Sequence, residues 1–213
     1  MTGAPVVSPT VPTGNTYDKY GSTNPVVRRL MAGFERNLNE LFAAADPRSV
    51  LDVGCGEGVL TERWAQRLQA GRVVGIDLED SELAAQWRAR PSGGNLEFRA
   101  MVAERLQFGD DEFDLVAATE VLEHVTGPEL VLSEMARVAR RNLIVSVPHE
   151  PLWRALNLAR GAYVRDLGNT PGHLNHWTRR SFSQLLGRYG EVVQVRAPFP
   201  WTMLLVSVAS GNG

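Results

Sequence analysis

The chain has 213 residues, of which 44% are hydrophobic and 22% are charged, and its net charge is −2. This composition is ordinary for one soluble globular domain with room for a full core. The only cysteine is Cys55, which excludes an intrachain disulfide and a cysteine metal cluster. No apolar run approaches the length of a membrane span, and residues 1–14 lack a signal-peptide pattern, so the expected compartment is the cytoplasm.

The small net charge hides a basic segment between Arg137 and Arg188. This segment has nine arginines against two acids, Glu150 and Asp166, so it carries +7 and the rest of the chain about −9. One interpretation is a solvated, arginine-rich surface. The other is a face that meets an anionic or polar substrate, and the sequence supports both equally.

The predicted elements alternate between helix and strand along the chain. Residues 1–24 are expected to form a flexible arm or lid, and Asn24-Pro25 begins a helix that ends near Ala45. Strands are predicted at 49–53, 72–77, 96–101, 113–119 and 142–147, and helices at 59–70, 81–90 and 128–139. This alternation predicts a doubly wound, parallel sheet.

The regular pattern stops after Val147. Residues 148–177, here called the insert, are irregular except for a helical piece near 152–160, and a capped helix then runs from Thr178 to about Tyr189. Two β-rich runs at 192–197 and 201–208 are joined by a connection too short for a crossover, so they form an antiparallel hairpin. The predicted fold is α/β, with a mostly parallel seven-stranded sheet in a single domain at 25–208.

The most informative motif is the glycine loop that follows the first strand. Gly54, Gly56 and Gly58 allow a sharp turn, which we expect to leave main-chain N–H groups exposed. Asp77 ends the next strand, where its carboxylate can accept hydrogen bonds from both hydroxyls of a ribose. The loop lacks both the dinucleotide spacing and a lysine, and Asp52 precedes it. A nucleoside with a cationic or amino-acid part therefore fits better than a pyrophosphate.

The stretch 51–58, LDVGCGEG, resembles motif I of the class I S-adenosylmethionine (SAM) methyltransferases. With the EVLEHV segment at 120–125 and the terminal hairpin, the resemblance covers roughly residues 25–208. It implies a Rossmann-like fold, SAM as cofactor and S-adenosylhomocysteine (SAH) as product, with the insert on the acceptor side. It also implies that the following residues contact the cofactor: Asp52, Gly54, Cys55, Gly56, Gly58, Asp77, Leu78, Val102, Ala103, Glu120 and Tyr20.

Two polar clusters are predicted at the carboxyl ends of the strands, beside the cofactor. The first holds Glu120, Glu123 and His124, which share one face if a helical turn begins there. The second holds His173 and His176 in the insert. The candidates for proton transfer and substrate contact are His124, His173, Glu120, His149 and His176. The function predicted from these features is O-methylation of a small-molecule acceptor. The basic segment suits an acceptor that is anionic.

The first cluster also resembles two metal-using branches of the family. These are the small-RNA 3′-terminal 2′-O-methyltransferases and the quinone-biosynthesis O-methyltransferases, which act on catechol-like acceptors. The resemblance implies a divalent metal held by Glu120, Glu123, His124 and His173. A metal-free site is the interpretation that we favour, and the overall negative charge disfavours a nucleic-acid partner. A non-catalytic, SAM-binding regulatory protein is the third alternative.

Overall fold

The structure is a computed structural model that describes residues 23–90, 94–159, 161, 163 and 166–208. Residues 1–22 of the predicted N-terminal arm, with Tyr20 as its cofactor contact, lie outside the described residues. Arg160 and Arg165 of the insert also lie outside them.

Helices and strands alternate along the described chain, as the sequence predicts. The helices are α1 (Pro25–Ala45), α2 (Val59–Leu68), α3 (Ser81–Ala89), α4 (Pro128–Val138), α5 (Leu152–Ala159) and α6 (Arg179–Leu186). The strands are β1 (Ser49–Val53), β2 (Arg72–Asp77), β3 (Leu96–Ala100), β4 (Phe113–Thr119), β5 (Ala139–Pro148), β6 (Glu191–Arg196) and β7 (Trp201–Ser207).

The seven strands form one sheet in the order β3-β2-β1-β4-β5-β7-β6. The first five are parallel, whereas β7 runs antiparallel to both β5 and β6. The predicted fold class is therefore confirmed, including the antiparallel pair at the end of the chain. Because the five parallel strands share a direction, the residues that follow β1, β2, β4 and β5 meet at one edge of the sheet.

The start of β5 differs from the predicted boundary by three residues. The strand begins at Ala139, directly after α4, and pairs with Phe113 before a register shift in β4. The sequence predicted a start at Asn142, because the charged residues Arg140 and Arg141 break the apolar run. Arg140 lies 3.1 Å from Asp114 of the neighbouring strand, so an ion pair replaces the apolar contact that the pattern would show.

Helices cover both faces of the sheet. On one face α4 and α6 pack through Leu132, Met135 and Phe182, and on the other α1 and α2 pack through residues such as Phe34, Leu38 and Trp64. This double cover explains why the central strands are almost continuously apolar, since both of their faces are buried. Within the described part of the chain, no helix is both long and apolar enough to cross a bilayer.

Candidate functional site

The glycine loop connects β1 to α2 and uses left-handed backbone at each of its three glycines. The φ angles of Gly54, Gly56 and Gly58 are 70°, 53° and 80°. A Cβ atom on Gly54 would lie 2.4 Å from Cγ2 of Val121, so close packing requires glycine there. At Gly56 no atom lies within 4 Å of such a Cβ, so this glycine serves the backbone angle and leaves open space beside the loop.

Four main-chain N–H groups of this loop already have acceptors within the fold, which differs from the exposed N–H groups expected from the sequence. The N–H groups of Gly54 and Cys55 donate to Ile76 O at 2.8 and 2.9 Å, and that of Gly58 donates to Cys55 O at 2.9 Å. The N–H of Gly56 donates to Oδ2 of Asp77 at 2.7 Å. The N–H groups of Gly54, Cys55 and Gly56 thus donate to residues of β2, which lies alongside, and that of Gly58 donates within the loop. The loop therefore offers these donors to its own fold and not to a phosphate.

Asp77 lies at the end of β2 with both carboxylate oxygens already oriented. Oδ2 accepts from Gly56, and Oδ1 accepts from the N–H of Leu78 at 2.8 Å. Burial raises the pKa of this carboxyl, the two N–H groups lower it, and Asp80 raises it further. Each carboxylate oxygen can accept more than one hydrogen bond, so the pair can still receive the two hydroxyls of a ribose.

Asp52 is the second acid beside the loop, and it is almost completely buried. Thr61 donates its hydroxyl to Oδ2 at 2.7 Å, while Oδ1 has no hydrogen-bond partner among the described residues. Burial raises the pKa of this carboxyl to about 7, against the lowering effect of Thr61, and the charge of Asp77 adds to the increase. A buried carboxylate oxygen without a donor is the feature that a cationic, amine-bearing ligand would satisfy. The residues around the loop thus fit SAM.

The segment after β3 lies next to this acid pair. Met101 donates its N–H to the carbonyl of Asp77 at 2.8 Å, which places Val102 and Ala103 at the same edge of the sheet. Val102 is half-exposed, and Ala103 packs against the core. The position agrees with the expected adenine contact through the main chain, and that contact stays a prediction.

Glu120 follows β4 in a left-handed conformation, with φ 61°, and the expected helical turn does not begin there. Its Oε2 accepts from Nε1 of Trp201 at 2.7 Å, and its Oε1 is 3.4 Å from the hydroxyl of Ser146. These contacts direct the side chain of Glu120 towards β5 and β7. The next residues form a turn, in which His124 donates its N–H to Val121 O.

Glu123, His124 and His173 come together at this edge. One ligand atom from each lies within 4.8 Å of the others. Glu123 and His173 are buried, while His124 is exposed. A carboxylate with two imidazoles is a donor set that divalent ions accept, so the residues present fit a metal as well as a proton-transfer site. Glu120 is not part of this group.

Backbone bonds hold the insert against the turn after β4 and so assemble the group. Leu174 and Asn175 donate their N–H groups to Glu123 O at 2.7 and 3.2 Å. The Nδ2 of Asn175 donates to the carbonyls of Leu122 and Val125 at 3.0 and 2.6 Å. Sequence reasoning assigned Asn175 no role, although its position between His173 and His176 was a signal. Sequence reasoning also missed Trp201, because a tryptophan in a strand ordinarily indicates only a position in the hydrophobic core.

The two remaining histidines, His149 and His176, are not among the three side chains of this group. His149 pairs with Trp177 in a short parallel bridge and lines an open cavity of about 680 Å³ together with Arg179, Arg180 and Ser183. The Nε2 of His176 is 2.6 Å from Oδ1 of Asn169 in the insert. The structure therefore brings together His124 and His173 of the five predicted catalytic residues.

Some arginines of the basic segment have structural partners. Arg137 forms ion pairs with Glu134 and Asp110, each at 2.8 Å, and donates to the carbonyls of Leu106 and Phe108. In the insert, Arg154 donates Nε to the carbonyl of Leu167 at 3.1 Å. Arg137 thus has a structural role at the surface, and its charge does not indicate an acceptor. Arg179 and Arg180, in contrast, line the cavity beside His149.

Comparisons with known proteins agree with this geometry. Residues 51–146 match the profile of a protein family described as "Methyltransferase domain". A ubiquinone biosynthesis O-methyltransferase from Pseudomonas fluorescens is 42% identical over 95 residues, which are 44% of this chain and 40% of that protein. The chain thus spans about two-fifths of the length of the curated relatives that it matches.

Solved structures show the same fold over most of the chain. A SAM-dependent methyltransferase from Aquifex aeolicus has a TM-score of 0.65 at 18% identity and covers 87% of this chain and 94% of its own. Magnesium protoporphyrin IX methyltransferase from Synechocystis, solved with SAH, has a TM-score of 0.64 at 21% identity and covers 89% and 90%. Residues 51–146 therefore match a methyltransferase domain, and the chain has the fold of these SAM-dependent methyltransferases.

Proposed function

We propose that this protein transfers the methyl group of SAM to an oxygen atom of a small-molecule acceptor. The observation that supports this proposal most is the position of the group formed by Glu123, His124 and His173, at the same edge of the sheet as Asp77 and the glycine loop. The curated relatives that match over 95 residues are O-methyltransferases by name.

The reaction is an in-line displacement for which SAM, when bound, supplies a methyl group on a positively charged sulfur. The bond between sulfur and carbon breaks as the bond between oxygen and carbon forms, and the hydroxyl proton must leave. In the proposal His124 or His173 accepts that proton in its neutral form. Asp77, Asp52 and the glycine loop orient the cofactor, because methyl transfer depends mainly on the alignment of the two reactants.

A divalent ion held by the same group is the second candidate, because Glu123, His124 and His173 lie within 4.8 Å of one another. Such an ion would bind the acceptor oxygen and favour loss of its proton. In either case the protein must hold the side chains of Glu123, His124 and His173 close together. The backbone hydrogen bonds between the insert and Glu123 do this. Glu120 would have to leave Trp201 to join them.

The acceptor side of the site is formed in this proposal by the insert and by the cavity beside His149. The arginines of this region suit an acceptor with an anionic part. A cytoplasmic location stays a prediction from the sequence. RNA remains the alternative acceptor, which the net charge of −2 disfavours.

A panel of acceptors with radiolabelled SAM tests the proposal directly. Phenols, catechols and carboxylate-bearing analogues should receive label from the wild-type protein and none from Asp77→Ala. A short RNA with a free 3′-terminal ribose serves as the contrasting acceptor. Labelling of the RNA alone would replace the small-molecule proposal, and binding of SAH without transfer to any acceptor would support the regulatory alternative.

A further inference from the structure

The C-terminal end of α3 contacts the glycine loop from the side, through two residues that the sequence did not single out. Trp87 donates Nε1 to the carbonyl of Gly56 at 2.8 Å. Arg90, the C-cap residue of α3, donates Nε to the carbonyl of Glu57 at 2.5 Å and pairs with Glu62 of α2. Two successive carbonyls of the loop are therefore held by one helix end.

The indole of Trp87 is itself held in place by β3. It stacks on Phe98, with ring centroids 5.4 Å apart and an angle of 8° between the ring planes. The ring of Phe98 occupies the space where a Cβ atom of Gly58 or Gly75 would lie, at 2.5 and 2.8 Å. Phe98 thus links the indole to the glycine loop and to β2, so the indole position is coupled to the loop by packing as well as by its hydrogen bond.

Gly56 is fixed on both sides by these contacts. Its N–H donates to Asp77, and its carbonyl accepts from Trp87. Because nothing packs within 4 Å of the position of its Cβ, hydrogen bonds and not steric contacts set its backbone angles. The N–H of Gly56 in turn orients the carboxylate of Asp77, which is the group expected to bind the ribose.

We propose that Trp87 and Arg90 form a clamp that sets the glycine loop and thereby the orientation of Asp77, so that both are positioning residues for the cofactor. The inference rests on the proposed function only in taking SAM and SAH as the ligands of this loop. Neither side chain contacts the group formed by Glu123, His124 and His173. The clamp should therefore change the affinity for the cofactor and not the affinity for the acceptor.

The low burial of α3 supports a positioning role for Trp87 and Arg90. Leu83 is the only buried residue of the helix, so α3 contributes little to the hydrophobic core. A helix with so little buried surface is held mainly by polar contacts at its ends, with Asp80 capping the first turn and Trp87 and Arg90 reaching the loop. Substitutions at the clamp should therefore alter the loop with a small effect on the stability of the whole domain.

The test measures SAH affinity by calorimetry in Trp87→Phe and Arg90→Gln. Trp87→Phe keeps an aromatic ring against Phe98 and removes the indole donor together with its five-membered ring. Arg90→Gln removes the guanidinium that donates to Glu57 and pairs with Glu62. Each should weaken SAH binding about five- to tenfold, the expected effect of one hydrogen bond, while the KM of the acceptor stays at the wild-type value. Trp64→Phe, in the buried core of α2, is the matched control: it should lower the melting temperature and leave SAH affinity unchanged.

Hydrogen exchange of the Gly56 amide in the ligand-free protein gives a readout that does not depend on activity. Trp87→Phe should accelerate this exchange and leave exchange in β4 unaltered. Wild-type SAH affinity and wild-type Gly56 exchange in both clamp variants would overturn the clamp alone. Failure of the wild-type protein to bind SAH would overturn the proposed function and, with it, the role of the clamp.

Discussion

His124 and His173 meet edge to face, with ring centroids 4.9 Å apart and ring planes at 82°. One ring belongs to the turn after β4 and the other to the insert. Their contact depends on the bonds that join the two segments, because the backbone of Glu123 accepts from both Leu174 and Asn175. The insert is therefore part of the wall of the candidate site, although it lies far from β4 in the sequence.

Asn175→Ala tests this dependence. The substitution removes the donor shared by the carbonyls of Leu122 and Val125 and loosens the insert against the turn. The kcat/KM for the acceptor should fall roughly five- to hundredfold, as expected for lost buried hydrogen bonds of about 1–3 kcal/mol. SAH affinity should not change. Asn37→Ala is the matched control, because Asn37 also donates to a backbone carbonyl but does so in α1; equal kinetic losses in both variants would contradict the role of Asn175.

Asp77→Ala should severely weaken the binding of both SAM and SAH. The carboxylate is already oriented by Gly56 and Leu78, and loss of a partly buried acceptor of two ribose hydroxyls should cost on the order of 2–4 kcal/mol. Calorimetry checks this, with Glu79→Ala as the control because Glu79 is the exposed acid two positions further along. Unchanged affinity in a folded Asp77→Ala protein would remove the cofactor assignment, and binding of a dinucleotide in its place would point to a different enzyme class.

The fold was predictable from the sequence because the two signals used, apolar runs for strands and capping residues for helices, are both local. Buried parallel strands appear as short apolar runs, and helix starts carry their own caps, such as Asn24 and Thr178. The start of β5 was misplaced by three residues because the charged side chains of Arg140 and Arg141 interrupt the run. An ion pair between neighbouring strands leaves no signal in the strand's own pattern.

The site was predictable only in part, because its assembly depends on contacts between distant segments. The acids and histidines were visible as motifs, but the turn that separates Glu120 from Glu123 depends on Trp201, which lies in β7. The clamp from α3 was missed for the same reason. Trp87 and Arg90 look like an ordinary amphipathic helix end, and only the tertiary structure shows that they reach the glycine loop.

The pKa of Asp52 predicts a specific dependence of stability on pH. Burial raises this pKa to about 7 in the folded state from an ordinary value of 3.8. Between these values the folded protein keeps a proton that the unfolded chain has released, so the free energy of unfolding should fall as the pH rises from about 4 to about 7. The total loss from this group is roughly 4 kcal/mol, at about 1.4 kcal/mol per pKa unit.

Urea unfolding at several pH values measures this effect. Asp52→Asn should flatten the profile over that window, because the side chain no longer titrates. Thr61→Val should extend the window to higher pH, since the hydroxyl of Thr61 stabilises the charged carboxylate. Parallel profiles for the wild-type protein and Asp52→Asn would show that Asp52 does not hold the proton.

The arginines of the insert should influence the acceptor and not the cofactor. Arg154→Ala, Arg160→Ala and Arg165→Ala are each expected to raise the KM of an anionic acceptor, because they remove positive charge from the acceptor side, while SAH affinity stays unchanged. Arg188→Ala is the control, being an exposed arginine of the same basic segment outside the insert. Wild-type kinetics in all three variants would mean that these arginines are surface charge only.

Treatment with EDTA separates the two candidate mechanisms. In a metal-free site activity should be unaffected by EDTA, and the rate should rise with pH over the range in which imidazole loses its proton, because the neutral ring accepts the hydroxyl proton. Only the proton acceptor, His124 or His173, should then be indispensable. We expect this result on the proposal of a metal-free transfer.

The contrary result would be activity that EDTA abolishes and that Mg²⁺, Mn²⁺ or Zn²⁺ restores. The choice of glutamate then identifies the ligands, with Mn²⁺ affinity measured directly by calorimetry in each variant. Glu123→Gln should abolish ion binding, because Glu123 belongs to the group with His124 and His173. Glu120→Gln should retain it if Glu120 stays with Trp201 and Ser146, as in this structure. Loss of Mn²⁺ binding in both variants would show that the ion draws Glu120 away from Trp201 and completes the four-residue set that the sequence motif implies.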